Sequence, residues 1–243
     1  MSAIYKREMR AYFTSPIGYI FVAIFFALSG FVFSFTTISN GTTDSSNYFA
    51  TMIVFFVILI PLLTMKLLSE ERKLKTEQIL LTAPVSLIGI IGAKFLAAYT
   101  IFAGSFLGSS LVNFSVLGVI ASKEKDVIDK LSFPTIFGNV VGILLIGGAF
   151  IAIGLFLSAI TENQLIAAIS AIGVFVLIFV LSILPNKIGN ETLRIVVKWL
   201  SLFTRFNSFS YGIFDLTSII YYFSIIVIFL FMTVRVYEKR RWA

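Results

Sequence analysis

The sequence predicts an all-α, polytopic membrane protein, one domain across residues 1–243. The plan is six transmembrane helices with three smaller ones: an N-terminal interfacial helix, a charged helix on the inner face between spans two and three, and an amphipathic or re-entrant helix on the outer face between spans five and six. Two observations carry this. Hydrophobic residues make up 58% of the 243 and the mean hydropathy is +1.00, more apolar surface than a water-soluble core of that length needs. Several apolar runs reach the roughly 18–20 residues that cross a bilayer, and they are continuous rather than alternating, which excludes a closed barrel.

The first element precedes the membrane. Tyr5, Met9, Tyr12 and Phe13 recur at helical spacing while Lys6, Arg7 and Arg10 take another face, the pattern of a helix in the interface with its basic side toward anionic headgroups. Positive charge signalling topology alone, without a helix, is the competing reading. Ser15-Pro16 then breaks the pattern and turns the chain into the bilayer. No short apolar core with a small-residue cleavage site is present, so the first run is expected to stay as a span. The spans fall at about 17–36, 49–68, 93–118, 136–160, 165–184 and 217–235.

Orientation follows from the basic residues. With both termini inside, the cytoplasmic side holds Lys6, Arg7, Arg10, Lys66, Arg72, Lys73, Lys75, Lys94, Arg235, Lys239, Arg240 and Arg241. Lys123, Lys125, Lys130, Lys187, Arg194, Lys198 and Arg205 fall outside, twelve against seven of the chain's 19. These residues flank spans instead of forming one groove, so the net charge of +7 gives no support to a nucleic-acid partner.

Only 13% of the chain is charged, yet Glu70, Glu71, Arg72, Lys73, Lys75 and Glu77 crowd the loop between spans two and three. The loop reads as a short helix on the inner face. Glu71 and Lys75 are spaced for an i,i+4 pair, Leu67, Leu74 and Leu81 repeat every seven residues as an apolar stripe, and Pro84 stops it. A solvated connector is the plainer reading, but the purely topological link at Thr161–Asn163 is far shorter. From Glu191 to Phe206 the residues Leu193, Val196, Val197, Leu200 and Phe203 oppose Arg194, Lys198 and Arg205, with Trp199 as an interface anchor; Asn207, Ser208, Ser210 and Gly212 then interrupt.

Several function classes lose support. No Cys means no disulfide and no thiolate site, and no His removes the usual general base. No Asp, Glu, Lys or Arg lies near mid-depth of a span; Lys66 and Lys94 sit near inner ends, where they are expected to snorkel, and Glu162 lies in a loop. Ion coupling is the weaker idea for that reason. The polar residues inside the spans are small. Gly104, Ser105, Gly108, Ser109 and Asn113 form a stripe on span three, and Gly138 with Gly142 on span four and Ala167 with Ala171 on span five are spaced for close helix approach. Packing and the lining of a dimer or translocation surface both fit Ser109, Asn113, Gly138 and Gly142. No phosphate-binding loop or metal-holding carboxylate cluster is visible, so no cofactor is expected in this chain.

Three separated motifs carry a resemblance. "EERKLKTEQILLTAPVS" is similar to the inner-loop segment of permease subunits of type V ABC exporters, "YFTSPIGYI" resembles the start of span one in their gliding-motility-type branch, and "LFTRFNSFSYGIFDLTSIIYY" leading to "FLFMTVRVYEKRRW" resembles that branch's C-terminal region. The resemblance implies a bacterial cytoplasmic-membrane permease driven by a separate subunit that binds ATP and Mg, with no catalytic residue of its own. It implies that Glu70 to Leu81 is a coupling helix seated in that subunit, with Glu70, Glu71, Arg72, Lys73, Thr76 and Glu77 polar, Leu80 and Leu81 packed at its end, and Pro84 closing it. A second permease copy or related permease, membrane lipids and an accessory extracytoplasmic protein are the further partners. Lys75 stands where that family usually has Gly, so a straighter helix is expected. An ion-driven transporter or channel, or a non-transporting subunit of an ATPase-driven envelope machine, are the alternatives.

Overall fold

A computed structural model describes residues 2–40, 45–76, 78, 86–123, 133–186 and 191–241. Six helices in it are long and apolar enough to cross a membrane, and the described residues contain no strand. The chain runs α1 (Ser2–Thr14), α2 (Pro16–Phe33, extended by a π turn at Ser34–Ile38), α3 (Ser46–Thr64), α4 (Ser69–Lys73), α5 (Leu87–Lys123), α6 (Phe133–Ile160), α7 (Gln164–Ile183), α8 (Glu191–Leu200), α9 (Leu202–Ser210) and α10 (Leu216–Arg241).

Each boundary has a local cause. Between α1 and α2 the Ser15 side chain accepts from the Ile17 amide and Pro16 occupies the first helical position, where its missing N–H costs nothing. Asn163 Oδ1 accepts from the Leu165 amide at 2.9 Å, so the link Thr161–Asn163 doubles as the cap of α7. Asp215 caps α10 through the Thr217 amide at 3.0 Å and the Ser218 hydroxyl at 2.8 Å. Helix α5 starts six residues before the expected span, and α10 continues through its basic tail to Arg241, because Glu, Lys and Arg are good helix formers that need no bilayer around them.

The spans differ in burial. The apolar window of α6 is 67% buried and that of α3 61%, against 17% for both α7 and α10. So α6 is the centre of the bundle, while α7 and α10 present broad apolar faces outward, as lipid-facing helices do. The core is aromatic: the rings of Phe25, Phe56 and Phe102 pack mutually at centroid distances of 5.1–6.1 Å, joining α2, α3 and α5.

Between α7 and α10 the single amphipathic helix expected there is two. Ser201 breaks it in an extended conformation and its hydroxyl accepts from the Thr204 amide at 3.2 Å, capping α9. Asn207, Ser208 and Ser210 do not interrupt this helix; it ends at Tyr211 and Gly212, the latter at φ +70°, where a glycine is needed. The short helix packs lengthwise against α6. Ser210 donates to Asn139 Oδ1, Phe206 lies against Gly142, and the Phe203 ring contacts Phe150, so α9 follows about 16 Å of the α6 axis.

A charged floor and an exposed segment at one end of the bundle

At the other end of α6 lies the charged loop. After Thr64 the chain leaves α3 through a turn at residues 65–68 and starts α4. The first amides of a helix lack intrahelical partners, and Leu68 supplies no cap of its own. Ser158 of α6 does so instead: its hydroxyl accepts from the Leu68 amide at 3.2 Å and the Ser69 amide at 3.1 Å. Two arginines then cover the last carbonyls of α6. Arg72 donates to Ile160 at 2.7 Å and Arg240 to Ala159 at 2.6 Å, and Arg72 also pairs with Glu162 at 2.5 Å. The ends of α4, α6 and α10 are thereby tied together.

Beneath them sits a cluster of two acids and two bases. Lys94, near the start of α5, is 2% exposed. Its ammonium lies 2.9 Å from Glu71 Oε1, 3.2 Å from Glu8 Oε1 and 2.8 Å from the Leu67 carbonyl. Arg7 reaches the same two carboxylates, at 2.7 Å to Glu8 and 3.2 Å to Glu71. The bond to Glu8, with the charges of both acids, raises the Arg7 guanidinium above its ordinary range. Tyr12 of α1 donates to the Leu63 carbonyl at 3.1 Å, and burial, then the Glu8 charge, push its phenol up. The expectation that Lys94 snorkels to water fails, because α1 covers it and offers a carboxylate closer than solvent. Sequence reasoning left Glu8 out altogether. A signal was present: Glu8 is the only acid before Asp44 and Lys94 the only charge between Leu87 and Ala121.

The predicted residues of the loop separate into two groups. Glu71 and Arg72 turn inward, and Glu70 stands 3.9 Å from Lys66. Lys73, Leu74, Lys75 and Thr76 are exposed, and Leu74 is 64% so. Glu77, Leu80, Leu81 and Pro84 lie outside the described residues. The helix is not straight through Lys75. It stops at Lys73, and Lys75 takes φ +56°, the left-handed conformation that glycine adopts most cheaply. The Glu71–Lys75 pair therefore does not form; Glu71 faces Lys94 instead. Nor do the leucines make one stripe, since Leu67 is buried at 4% exposure while Leu74 faces out. On α1, Lys6, Arg7 and Arg10 are exposed, and Ile4, Met9 and Tyr12 pack on the core.

Asn113 and Ser109 of α5 are engaged within the chain. Asn113 donates to the Ser29 hydroxyl at 2.9 Å and the Tyr48 hydroxyl at 3.4 Å, and Ser29 and Tyr48 share a bond of 2.8 Å, joining α2, α3 and α5. Ser109 is buried and donates to the Phe106 carbonyl. Gly138 and Gly142 are the seat of α9: a Cβ at Gly138 would lie 2.6 Å from the Phe209 carbonyl oxygen. Phe56 is in the core, whereas Phe55 borders an open groove of about 590 Å³ between α3, α7 and α9.

Fold and site together define a multi-pass membrane protein that presents a charged, partly apolar segment at one end of a six-span bundle. A family model described as ABC-2 family transporter protein matches residues 29–236. The chain belongs to that family and is a permease, the transmembrane subunit of an ABC transporter. Membership implies an ATP-binding partner subunit and a dimeric assembly in general. No curated protein matches the chain.

Proposed function

We propose that this permease is the membrane half of an ATP-driven exporter of the type V, gliding-motility-type branch, and that the segment from Glu70 to Leu81 docks a cytosolic ATP-binding subunit. Both termini and α4 then lie on the cytoplasmic side of a bacterial cell membrane, in agreement with the excess of basic residues there. The observation that carries the reading is the exposed run Lys73, Leu74, Lys75, Thr76, held at the end of the bundle by an α4 that is itself fastened to α1, α5 and α6. An exposed leucine between two lysines offers an apolar contact with charges to set register, and charge complementarity governs specificity more than affinity. ATP and Mg reside on the partner. ATP closes a pair of such partners, the docked segments follow, and the permease halves rock between inward- and outward-open states, driven by the difference in ATP affinity between the two.

The test is co-purification. The permease is expressed with the ATP-binding subunit encoded beside it and isolated through a tag on the permease, as wild type and as Lys73→Glu/Lys75→Glu. Neither lysine has an ion-pair partner among the described residues, so the double reversal leaves the fold intact. Retention of the ATPase by wild type and its loss from the variant is the expected result. A wild-type permease that brings no ATPase with it overturns the reading.

A further inference from the structure

A lysine inside a membrane bundle has to account for its charge. Removing an ammonium from water costs several kcal/mol unless the protein pairs it, and one carboxylate would suffice for that. Lys94 has two, and its three donor positions are filled from three separate segments: Glu8 of α1, Glu71 of α4 and the Leu67 carbonyl of the intervening turn. Arg7 bridges the same acids, but its side chain is 56% exposed against 2% for Lys94, so water can replace Arg7 and cannot replace Lys94. The other ties of α4 include exposed ones: Glu162, which pairs with Arg72, is 70% exposed, and Glu70, beside Lys66, is 41%. Exposed pairs contribute little and are screened by salt, while parting a buried pair strands a charge. A displacement of α4 therefore gives way at its outer contacts before it gives way at Lys94.

We propose that Lys94 is the positioning residue of force transmission: it locks Glu71 and Glu8 to the start of α5, so that movement of the docking segment carries α1 and α5 with it as one unit. The α1 helix, which lies wholly before the family match at residue 29, is on this account a moving part and not a fixed anchor in the interface. The proposal rests on the docking role of the α4 segment.

The chain contains no cysteine, so Lys6→Cys with Ile88→Cys, exposed on α1 and at the start of α5 and both outside the docking segment, supply the only thiols for a pair of spin labels. Labelled permease is diluted with unlabelled copies, and the distance distribution is measured in the complex with the ATP-binding subunit, nucleotide-free and ATP-trapped. The expected wild-type result is one narrow distribution, the same in both states. Glu8→Gln, which leaves Lys94 paired with Glu71, broadens it and lets it shift on ATP trapping, and Lys94→Met does the same. Lys94→Arg preserves the wild-type distribution. Both broadening variants still retain the ATPase and hydrolyse ATP at the wild-type rate, an uncoupling that a merely misfolded protein does not show. A wild-type distance that changes on ATP trapping overturns the proposal, and so does an unchanged distribution in Glu8→Gln. Should Lys94→Met fail to fold, Glu8→Gln decides alone. Failure of the wild type to retain any ATPase is a different outcome: the docking reading falls and transmission falls with it, while the lock is still judged by comparing wild type and Glu8→Gln in the permease alone.

Discussion

Lys94 and Glu71 stand 2.9 Å apart at the end of the bundle that carries α4, joining the start of α5 to the loop that precedes it. Glu70, one residue earlier, lies 3.9 Å from Lys66 with 41% of its side chain exposed. Neighbours in sequence thus have unlike environments, and their removal should differ in effect. Glu71→Gln takes one charged hydrogen-bond partner from a buried ammonium, a loss of about 1–3 kcal/mol. Glu70→Gln removes an exposed pair worth under about 1 kcal/mol. Thermal denaturation of the detergent-solubilised permease should show a clear drop for the first and little change for the second; equal effects would contradict the buried cluster.

Lys75 offers a test with the opposite sign. Its φ of +56° costs a residue with a Cβ about 1–2 kcal/mol relative to glycine. Lys75→Gly should stabilise the turn after α4 by up to about 1 kcal/mol once the greater freedom of an unfolded glycine is offset, and Lys75→Val should destabilise it. Hydrogen exchange of the Lys75 and Thr76 amides, which donate to Arg72 and Glu71 carbonyls, reads this locally.

The seat of α9 is testable with two glycines. A methyl at Gly138 meets the Phe209 carbonyl oxygen, while one at Gly104 meets nothing within 4 Å. Gly138→Ala should destabilise by about 1–3 kcal/mol through overpacking, and Gly104→Ala should be neutral or stabilising by up to about 1 kcal/mol. The comparison by thermal denaturation separates a packed glycine from a free one on adjacent spans.

Asn113 joins three helices through Ser29 and Tyr48. Side-chain hydrogen bonds between membrane helices average about 0.6 kcal/mol with a maximum near 1.7, and Ser29 and Tyr48 still bond each other without it. Asn113→Leu should therefore cost no more than about 1.7 kcal/mol, read as a small fall in unfolding temperature. A large one would mean that the asparagine has partners beyond these two.

The six spans were legible because their signal is simple: a continuous apolar run of sufficient length means the same thing whatever surrounds it. The break at Ser15-Pro16 and the short link at Thr161–Asn163 were equally local, although neither was read as a cap. The cluster around Lys94 was not, because Glu8 and Lys94 are 86 positions apart and meet only once α1 folds back over the start of α5. A lone lysine near the end of an apolar run reads as snorkelling when nothing shows what covers it. Lys75 was misread for a related reason. The side chain favours a helix, but Glu71, the acid that would have paired with it at i,i+4, is held by Lys94 instead, and the chain turns. The split at Ser201 was missed because the apolar spacing continues across it, and only the hydroxyl's bond to Thr204 marks a new start.

The central claim is that the α4 end of the bundle meets the ATP-binding subunit, and a photo-crosslinking residue tests it most directly. It replaces Leu74, 64% exposed beside α4, or Tyr211, 79% exposed at the opposite end after α9, in cells that also express the ATPase. The account predicts a crosslink to the ATPase from position 74 and none from position 211. A crosslink from 211 with none from 74 would invert the permease in the membrane and contradict it.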